Sequence, residues 1–293
     1  MKNILVIGSS NTDMVIRVDG LPLPGQTVLG DQFQIFAGGK GANQAIAAQR
    51  AGGNVRILTA VGNDDFGKLA IDALVVEGID TDAIQVIDDV PSGVALILVD
   101  HNGENCIAVA SGANAHITPE VLEAHSQLFS DVGFLLIQLE TPMDSVEKAI
   151  ALSRDNNISV ILNPAPAAAL PDAVLQDLFC ITPNESELEA LTEIEIKSVQ
   201  DAIKAAHVLL QRGVQNVVVT LGESGAVICN SEGAHHELAE LVNVVDTTGA
   251  GDTFNGVFVA MLAEGKHQRD AVRLAVKAAS LSVQYAGVRP IDQ

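Results

Sequence analysis

Six short segments, "NILVIG", "VRILTAV", "FLLIQL", "ISVILN", "FCITP" and "NVVVTL", are apolar at consecutive rather than alternate positions. A strand with one wet face alternates, whereas a strand apolar on both sides must be covered on both sides, as in a parallel sheet held between helices. Helical patterns over residues 42–51, 66–77, 143–156 and 199–212 fall between these segments. The βαβα order predicts an α/β doubly wound fold. No internal repeat is visible.

Two pieces break the rhythm. "DMVIRV" with "DQFQIF", and "GVALILVD" with "ENCIAVAS", read as hairpins, the second turning at Asn102-Gly103, a strong two-residue turn signal. Four antiparallel strands inserted into a parallel scaffold predict a small accessory sheet. Because "VALILV" is apolar on both faces, one face is expected to meet ligand and the other a second subunit; a plain extension of the main sheet is the alternative.

A chain of 293 residues, 48% apolar, has room for one large core and a small appendage. Its formal net charge of -21 argues against non-specific binding to nucleic acid or an anionic membrane. An anionic ligand stays open, because surface charge is screened over about 8 Å at physiological salt. No apolar run approaches the roughly 18 residues of a membrane span, and "ILVIG" is too short for a signal segment. Cys106, Cys180 and Cys229 form no CxxC, which points away from a disulfide framework or cysteine zinc site and towards a reducing cytoplasm.

In open α/β sheets ligands bind beyond the carboxyl ends of the strands. There the chain places Asn11 and Asp13, Glu140, Asn163, Asn184 and Gly222. Each alone reads as a turn residue; their common edge makes them site candidates. Near the other end, "VVDTTGAGDTFNG" sets small residues before a helix that begins near Ala250. The unpaired amides and positive dipole of such a helix start suit an anion. Asp252, in the first turn, either complements the dipole or accepts the proton of an attacking hydroxyl, which is most of what a base does in phosphoryl transfer. No GxxxxGK[ST] occurs, since Lys40, Lys68 and Lys266 follow glycine but precede Gly, Leu and His; "GSSNTD" is not GxGxxG, "HHELAE" lacks the second His of HExxH, and "GESG" is not GxSxG. These absences point away from P-loop, dinucleotide and hydrolase chemistry.

"GGKGANQA" and "DTTGAGDTFNG" resemble the two signature regions of the phosphofructokinase-B-type carbohydrate kinases. "NTD", "QLE", "NPAPA", "TPNESE" and "TLGESGA" extend the likeness to the family's ribokinase-like members over nearly the whole chain. The resemblance implies one kinase domain over 1–293, with a three-layer α/β/α core, a mainly parallel sheet and a small four-stranded β lid from about 13–37 and 91–110. The lid strands are often the seam of a homodimer. It further implies transfer of the ATP γ-phosphate to the 5-hydroxyl of ribose, with Asp252 as base and the amides of Gly249, Ala250 and Gly251 as anion hole.

By the same resemblance Asn11, Asp13, Gly39, Lys40, Asn43 and Glu140 match the sugar contacts. Asn184 and Glu187 match the phosphate and hydrated Mg2+ region, although "NxxE" without the family reads as a helix start with a solvated Glu. Thr220, Gly222, Gly225 and Gly251 fall where nucleotide lies. Asp246 and Thr248, with backbone carbonyls of Ser282, Tyr285, Gly287 and Ile291, match a K+ loop. Gly38, Gly39 and Gly41 also read as helix-entry flexibility. Val276 stands where relatives often carry a polar residue near adenine. A kinase for deoxyribose, a nucleoside or a hexose, and a non-catalytic nucleotide-binding regulator, are the competing readings.

Overall fold

The computed structural model describes residues 1–101 and 103–285. Strands β1 (Asn3–Ile7), β2 (Asn11–Val18) and β3 (Gly30–Gly38) lead into helix α1 (Lys40–Arg50). β4 (Asn54–Leu58) and β5 (Ala60–Gly62) precede α2 (Asp65–Val76), and β6 (Gln85–Ile87), β7 (Gly93–Val99) and β8 (Asn105–Ala110) precede α3 (Pro119–Ala124). β9 (Val132–Ile137), α4 (Met143–Asp155), β10 (Ser159–Leu162), α5 (Asp172–Gln176), β11 (Cys180–Ile181), α6 (Glu185–Thr192), α7 (Val199–Gln211) and β12 (Asn216–Thr220) continue the alternation. An antiparallel edge of β13 (Ala226–Asn230) and β14 (Gly233–Glu237), then α8 (Ala250–Glu264) and α9 (Gln268–Ser282), follow.

The main sheet has eight strands in the order β14-β13-β12-β11-β10-β9-β1-β4, parallel from β12 to β4. The consecutive apolar positions serve two cores. Leu5, Ile7, Leu135, Ile137, Val160, Leu162, Val217 and Val219 pack on one face, with Val146 and Ile150 of α4 and Ala205 and Leu209 of α7. Ile4, Val6, Phe134, Leu136, Ile161 and Val218 pack on the other, with Ala45 and Ala48 of α1, Phe254 and Phe258 of α8 and Val272 of α9. Val276 belongs to that second core and is buried, a reason for its apolar character.

The chain runs outward from β1 to β4 and then returns to build β9, β10, β11 and β12 on the other side of β1. The switch point therefore lies between β1 and β9, and the crevice beyond their carboxyl ends is where a doubly wound sheet takes its ligand.

The separate four-stranded sheet runs β3-β2-β7-β8. Both expected hairpins form, as antiparallel β2–β3 and β7–β8. The expectation of four antiparallel strands is corrected at the seam, where β2 and β7 are parallel. Both leave the main body at one root, Asn11 beside Gly93, so they must run outward together. The turn residue Asn102 lies outside the described residues. With side chains alternating across the sheet, Asp13, Val15, Arg17, Ile97 and Val99 line a cleft of about 680 Å³. Ile16, Phe33, Ile35 and Leu96 stand exposed on the opposite face. Among the described residues no helix is long and apolar enough to cross a membrane.

Candidate active site

Helix α8 starts at Gly249, whose φ of 75° is left-handed and therefore easy only for glycine or a few polar residues. The Ala250 N–H donates to the Thr247 carbonyl at 3.2 Å. The next two amides, of Gly251 and Asp252, have no acceptor within the helix. A Cβ built on Gly251 would meet nothing within 4 Å, so the first turn of α8 is open on the side a side chain would occupy. Of the three expected anion-hole donors, Ala250 is thus engaged within the loop, and Gly251 with Asp252 leads the helix.

The Asp252 carboxylate is buried, 9% exposed. Its Oδ2 accepts from Asn43 Nδ2 at 3.1 Å and its Oδ1 from Gln44 Nε2 at 3.0 Å. Burial raises its pKa; Lys40 and the amides of Gln44 and Asn43 act against that rise. A carboxylate so held is more basic than an exposed one.

The Gln44 amide is oriented from a distance. Asn163 Nδ2 donates to the Thr182 carbonyl at 3.1 Å, and a carbonyl can only accept. Asn163 Oδ1 therefore faces Gln44, whose Nε2 donates to it at 2.9 Å as well as to Asp252. Gln44 Oε1 in turn accepts from Gln138 Nε2 at 2.7 Å. The Thr182 hydroxyl donates to Asn255 Oδ1 at 2.6 Å, and Asn255 Nδ2 to the Gly251 carbonyl at 2.8 Å. The backbone carbonyl after β11 thus fixes, through Asn163, which end of the Gln44 amide faces Asp252.

At the switch point, Glu140 after β9 accepts from Ser9 Oγ after β1 and from the Lys40 amide at 3.3 Å. A carboxylate thereby caps the start of α1, where the dipole favours it. Gly39 enters that helix with a φ of 90°, and a Cβ there would come 2.6 Å from Asn11 N; the requirement for glycine is steric as well as conformational. Asp13, partly buried on β2, has its pKa pushed up to about 6 by burial and then by Glu140 and Asp252. Burial alone would lower the pKa of Lys40, but Asp252, Glu140, Glu187 and Asp13 together raise it. The result is an ammonium held among four carboxylates, with Asn11, Asp13, Gly39, Lys40, Asn43, Glu140 and Asp252 gathered around one crevice.

The nucleotide-side candidates sit at the neighbouring strand ends. Asn184 bridges Thr220. Asn184 Oδ1 accepts from Glu187 N at 2.8 Å while Glu187 Oε2 accepts from Asn184 N at 2.9 Å, a capping box at the start of α6. The helix-start reading thus holds, but Glu187 is buried, not solvated. Burial raises its pKa, the Asn184 amide and Lys40 oppose this, and Asp252 adds to it; the pair and the crevice share one field. Gly222 and Gly225 form the turn between β12 and β13, the Gly225 N–H reaching the Gly222 carbonyl at 3.0 Å.

Before α8, Thr248 N donates to Asp246 Oδ1 at 2.9 Å. Val245 N and Asp246 N both reach the Val283 carbonyl, at 2.7 and 3.1 Å, so the loop is stitched to the end of α9 beside Ser282. The Ser282 carbonyl accepts from Tyr285 N at 3.3 Å. The two further cation candidates, Gly287 and Ile291, lie outside the described residues. Ser9, Gln44, Gln138 and Asn255 were not found by sequence reasoning. Each carried a signal, since Gln44 adjoins Asn43, Ser9 follows the first strand, and Gln138 and Asn255 lie within "QLE" and "DTTGAGDTFNG", but nothing local singles any of them out.

The model of the pfkB family carbohydrate kinases matches residues 1–293. The ribokinase of Haemophilus influenzae is 41% identical over 288 residues, 98% of this chain and 94% of that protein. A deoxyribokinase of Salmonella typhimurium is 36% identical over 290 residues, covering 98% and 94%. The solved structure of Arabidopsis thaliana ribokinase complexed with ribose and ATP superposes with a TM-score of 0.90 at 30% identity, covering 98% of this chain and 94% of that one.

Proposed function

The chain belongs to the pfkB family of carbohydrate kinases, and from that premise we propose that it carries the γ-phosphoryl group of ATP to the 5-hydroxyl of ribose, with Asp252 as the base. The Haemophilus relative is named a ribokinase, and the Arabidopsis ribokinase was solved with ribose and ATP, which supports ATP-dependent phosphorylation of ribose. The observation that carries the residue assignment is Asp252 itself, buried at a helix start with both oxygens held by amides of α1 and with open space where a Gly251 side chain would stand. A carboxylate beside an anion-binding helix start repels the anion, so a site for binding alone gains nothing from it.

In this reading the sugar lies between Asn11, Asp13, Gly39, Lys40, Asn43 and Glu140. Its hydroxyl oxygen attacks the γ-phosphorus and its proton passes to Asp252. The bond from the γ-phosphorus to the bridging oxygen breaks, the electron pair leaving with ADP. Charge spread over the transferring group meets the dipole and leading amides of α8, and the Lys40 ammonium sits in the same field. Thr220, Gly222, Gly225 and Gly251 are assigned to the nucleotide.

Mg2+ would be held near Asn184 and Glu187. Asn184 Oδ1 already accepts from Glu187 N and from Ser186 Oγ, and one Glu187 oxygen serves the cap, so contact through the ion's water shell fits best. K+ would take Asp246, Thr248 and the carbonyls of Ser282, Tyr285, Gly287 and Ile291, an all-oxygen set suited to a hard cation. These ions would neutralise phosphate charge and order the loop before α8. The free cysteines, two of them buried, suit a reducing, cytoplasmic setting.

The test is ADP release with Mg-ATP across ribose, 2-deoxyribose, fructose and adenosine, with potassium or tetramethylammonium as the monovalent cation. Ribose in potassium is expected to give the highest kcat/KM. Preference for deoxyribose would transfer the assignment to the Salmonella relative's substrate, and no consumption of any sugar would end it.

The pH dependence has a sign. Asp13 is neutral below about pH 6 and ionised above it, and only the ionised form is a pure acceptor for sugar hydroxyls. The kcat/KM for ribose is expected to fall on the acid side with a contribution near pH 6, and Asp13→Asn should remove that contribution, leaving the limb set by Asp252, while weakening sugar binding.

We also assign the small sheet, about 13–37 and 91–110, as a lid over the sugar whose outer face pairs with a second copy. Phe33, Ile35 and Leu96 on that face are 58%, 44% and 55% exposed, too much contiguous apolar strand to leave wet. Leu96→Lys is expected to convert a dimer into a monomer by light scattering; a monomeric parent chain would remove the assignment.

A further inference from the structure

We propose that Asn114 is a positioning residue that fixes the side-chain amide of Asn11 with its NH2 group turned to the sugar. It follows β8 in the short turn Gly112–His116 and is 1% exposed. Ser10 N, which can only donate, reaches Asn114 Oδ1 at 2.9 Å. Asn114 Nδ2 donates to the Ser10 carbonyl, which can only accept, at 3.2 Å. Two backbone groups therefore settle which end of the Asn114 amide is oxygen and which is nitrogen, a choice that side-chain partners alone leave open. The same Nδ2 donates to Asn11 Oδ1 at 2.7 Å. Asn11 must point its oxygen at Asn114, and its own NH2 is left for a ligand, with no protein acceptor among the described residues.

Asn11 and Asn114 both line a cavity of about 420 Å³ that also holds Glu140, so this NH2 belongs to the crevice. A second observation marks the amide pair as a built feature. A Cβ on Gly93 would come 2.2 Å from Asn11 Oδ1 and 2.3 Å from Asn114 Nδ2; glycine at the root of β7 makes room for them. The functional consequence rests on the sugar-kinase reading. Asn11 and Asp13 share one face of β2, so the site offers a donor and then an acceptor. Adjacent hydroxyls answer that pattern, one accepting and one donating. Reversing the Asn11 amide would present two acceptors, so the sugar oxygen that accepts from Asn11 would lose its donor and its O–H would have to turn away from its own partner.

The experiment is a double-mutant cycle. Asn114→Asp keeps the shape and still accepts from Ser10 N, but its second oxygen confronts Asn11 Oδ1 and the Ser10 carbonyl, so Asn11 has to turn over. The expected result is a rise of about tenfold in the ribose KM, the scale of one lost hydrogen bond, with kcat and the ATP KM within about threefold. In an Asn11→Ala background the same substitution should raise the ribose KM less than twofold, because the group it acts through is gone. An equal rise in both backgrounds, or no rise in the single variant, overturns the inference. Asn114→Ser, which can still accept from Ser10 N, replaces it if the aspartate variant does not fold. Turnover of ribose by the parent chain is measured first. If that is absent the kinase reading falls with this one; if it is present and the cycle is additive, only the role of Asn114 falls.

Discussion

Asp252→Asn is expected to leave a folded protein that binds ATP and to lower kcat by roughly 10²–10⁴-fold, the usual weight of a positioned base. The substitution keeps the side-chain shape and removes the proton acceptor. It also sets an NH2 group against either Asn43 Nδ2 or Gln44 Nε2, which now donate to the two carboxylate oxygens. That donor-donor contact costs stability, but the change also removes a buried charge, so the two effects oppose. ADP release in single-turnover mode and calorimetric ATP titration separate the loss of chemistry from a loss of binding. Turnover near that of the parent chain would take the base role away from Asp252.

Gln44→Leu has the second-largest expected effect, and it acts on folding and chemistry together. Gln44 is fully buried, and its removal leaves Asp252 Oδ1 and Asn163 Oδ1 without this donor and Gln138 Nε2 without its acceptor. Each buried group left unpaired costs about 1–3 kcal/mol, so a loss of about 3 kcal/mol or more is expected in urea denaturation. The pH profile carries the specific signature. Burial raises the pKa of Asp252, and the Gln44 amide is among the groups that hold it down. Without that amide the pKa rises further, more of Asp252 is protonated at a given pH, and the acid limb of kcat moves to higher pH. Activity should therefore recover in part on the alkaline side. A large loss of kcat with an unmoved limb would show that Gln44 acts on the fold alone.

The two substitutions bear on residues of unequal legibility. Asp252 announces itself, since a carboxylate among glycines at a helix start is a local contradiction that asks for a function. Gln44 sits one residue from a sugar-contact candidate, yet a glutamine on a helix has no periodic or capping signature. Its meaning comes from Asn163, 119 residues away, and Asp252, 208 residues away. Glu187 shows the reverse case. Its spacing from Asn184 was readable as a helix start, but only the packing of α6 against the crevice buries it. The seam between β2 and β7 was misjudged for a related reason, because strand direction across a long connection is set by where both strands leave the body.

By itself the sequence determined what short-range rules can carry. Consecutive apolar strand positions called for cover on both sheet faces, and the helix start at Gly249 called for something other than a side-chain cap. The edge on which Asn11, Asp13, Glu140 and Asn184 gather followed from strand direction alone. Tertiary structure decided which amides face which carboxylate, how far Asp13 is pushed from its ordinary pKa, and which end of the Asn11 amide is spent on the protein. Those are properties of close contact in a low-dielectric crevice, where a hydrogen bond or a charge acts over a few ångströms between elements that the chain itself places a hundred or more residues apart.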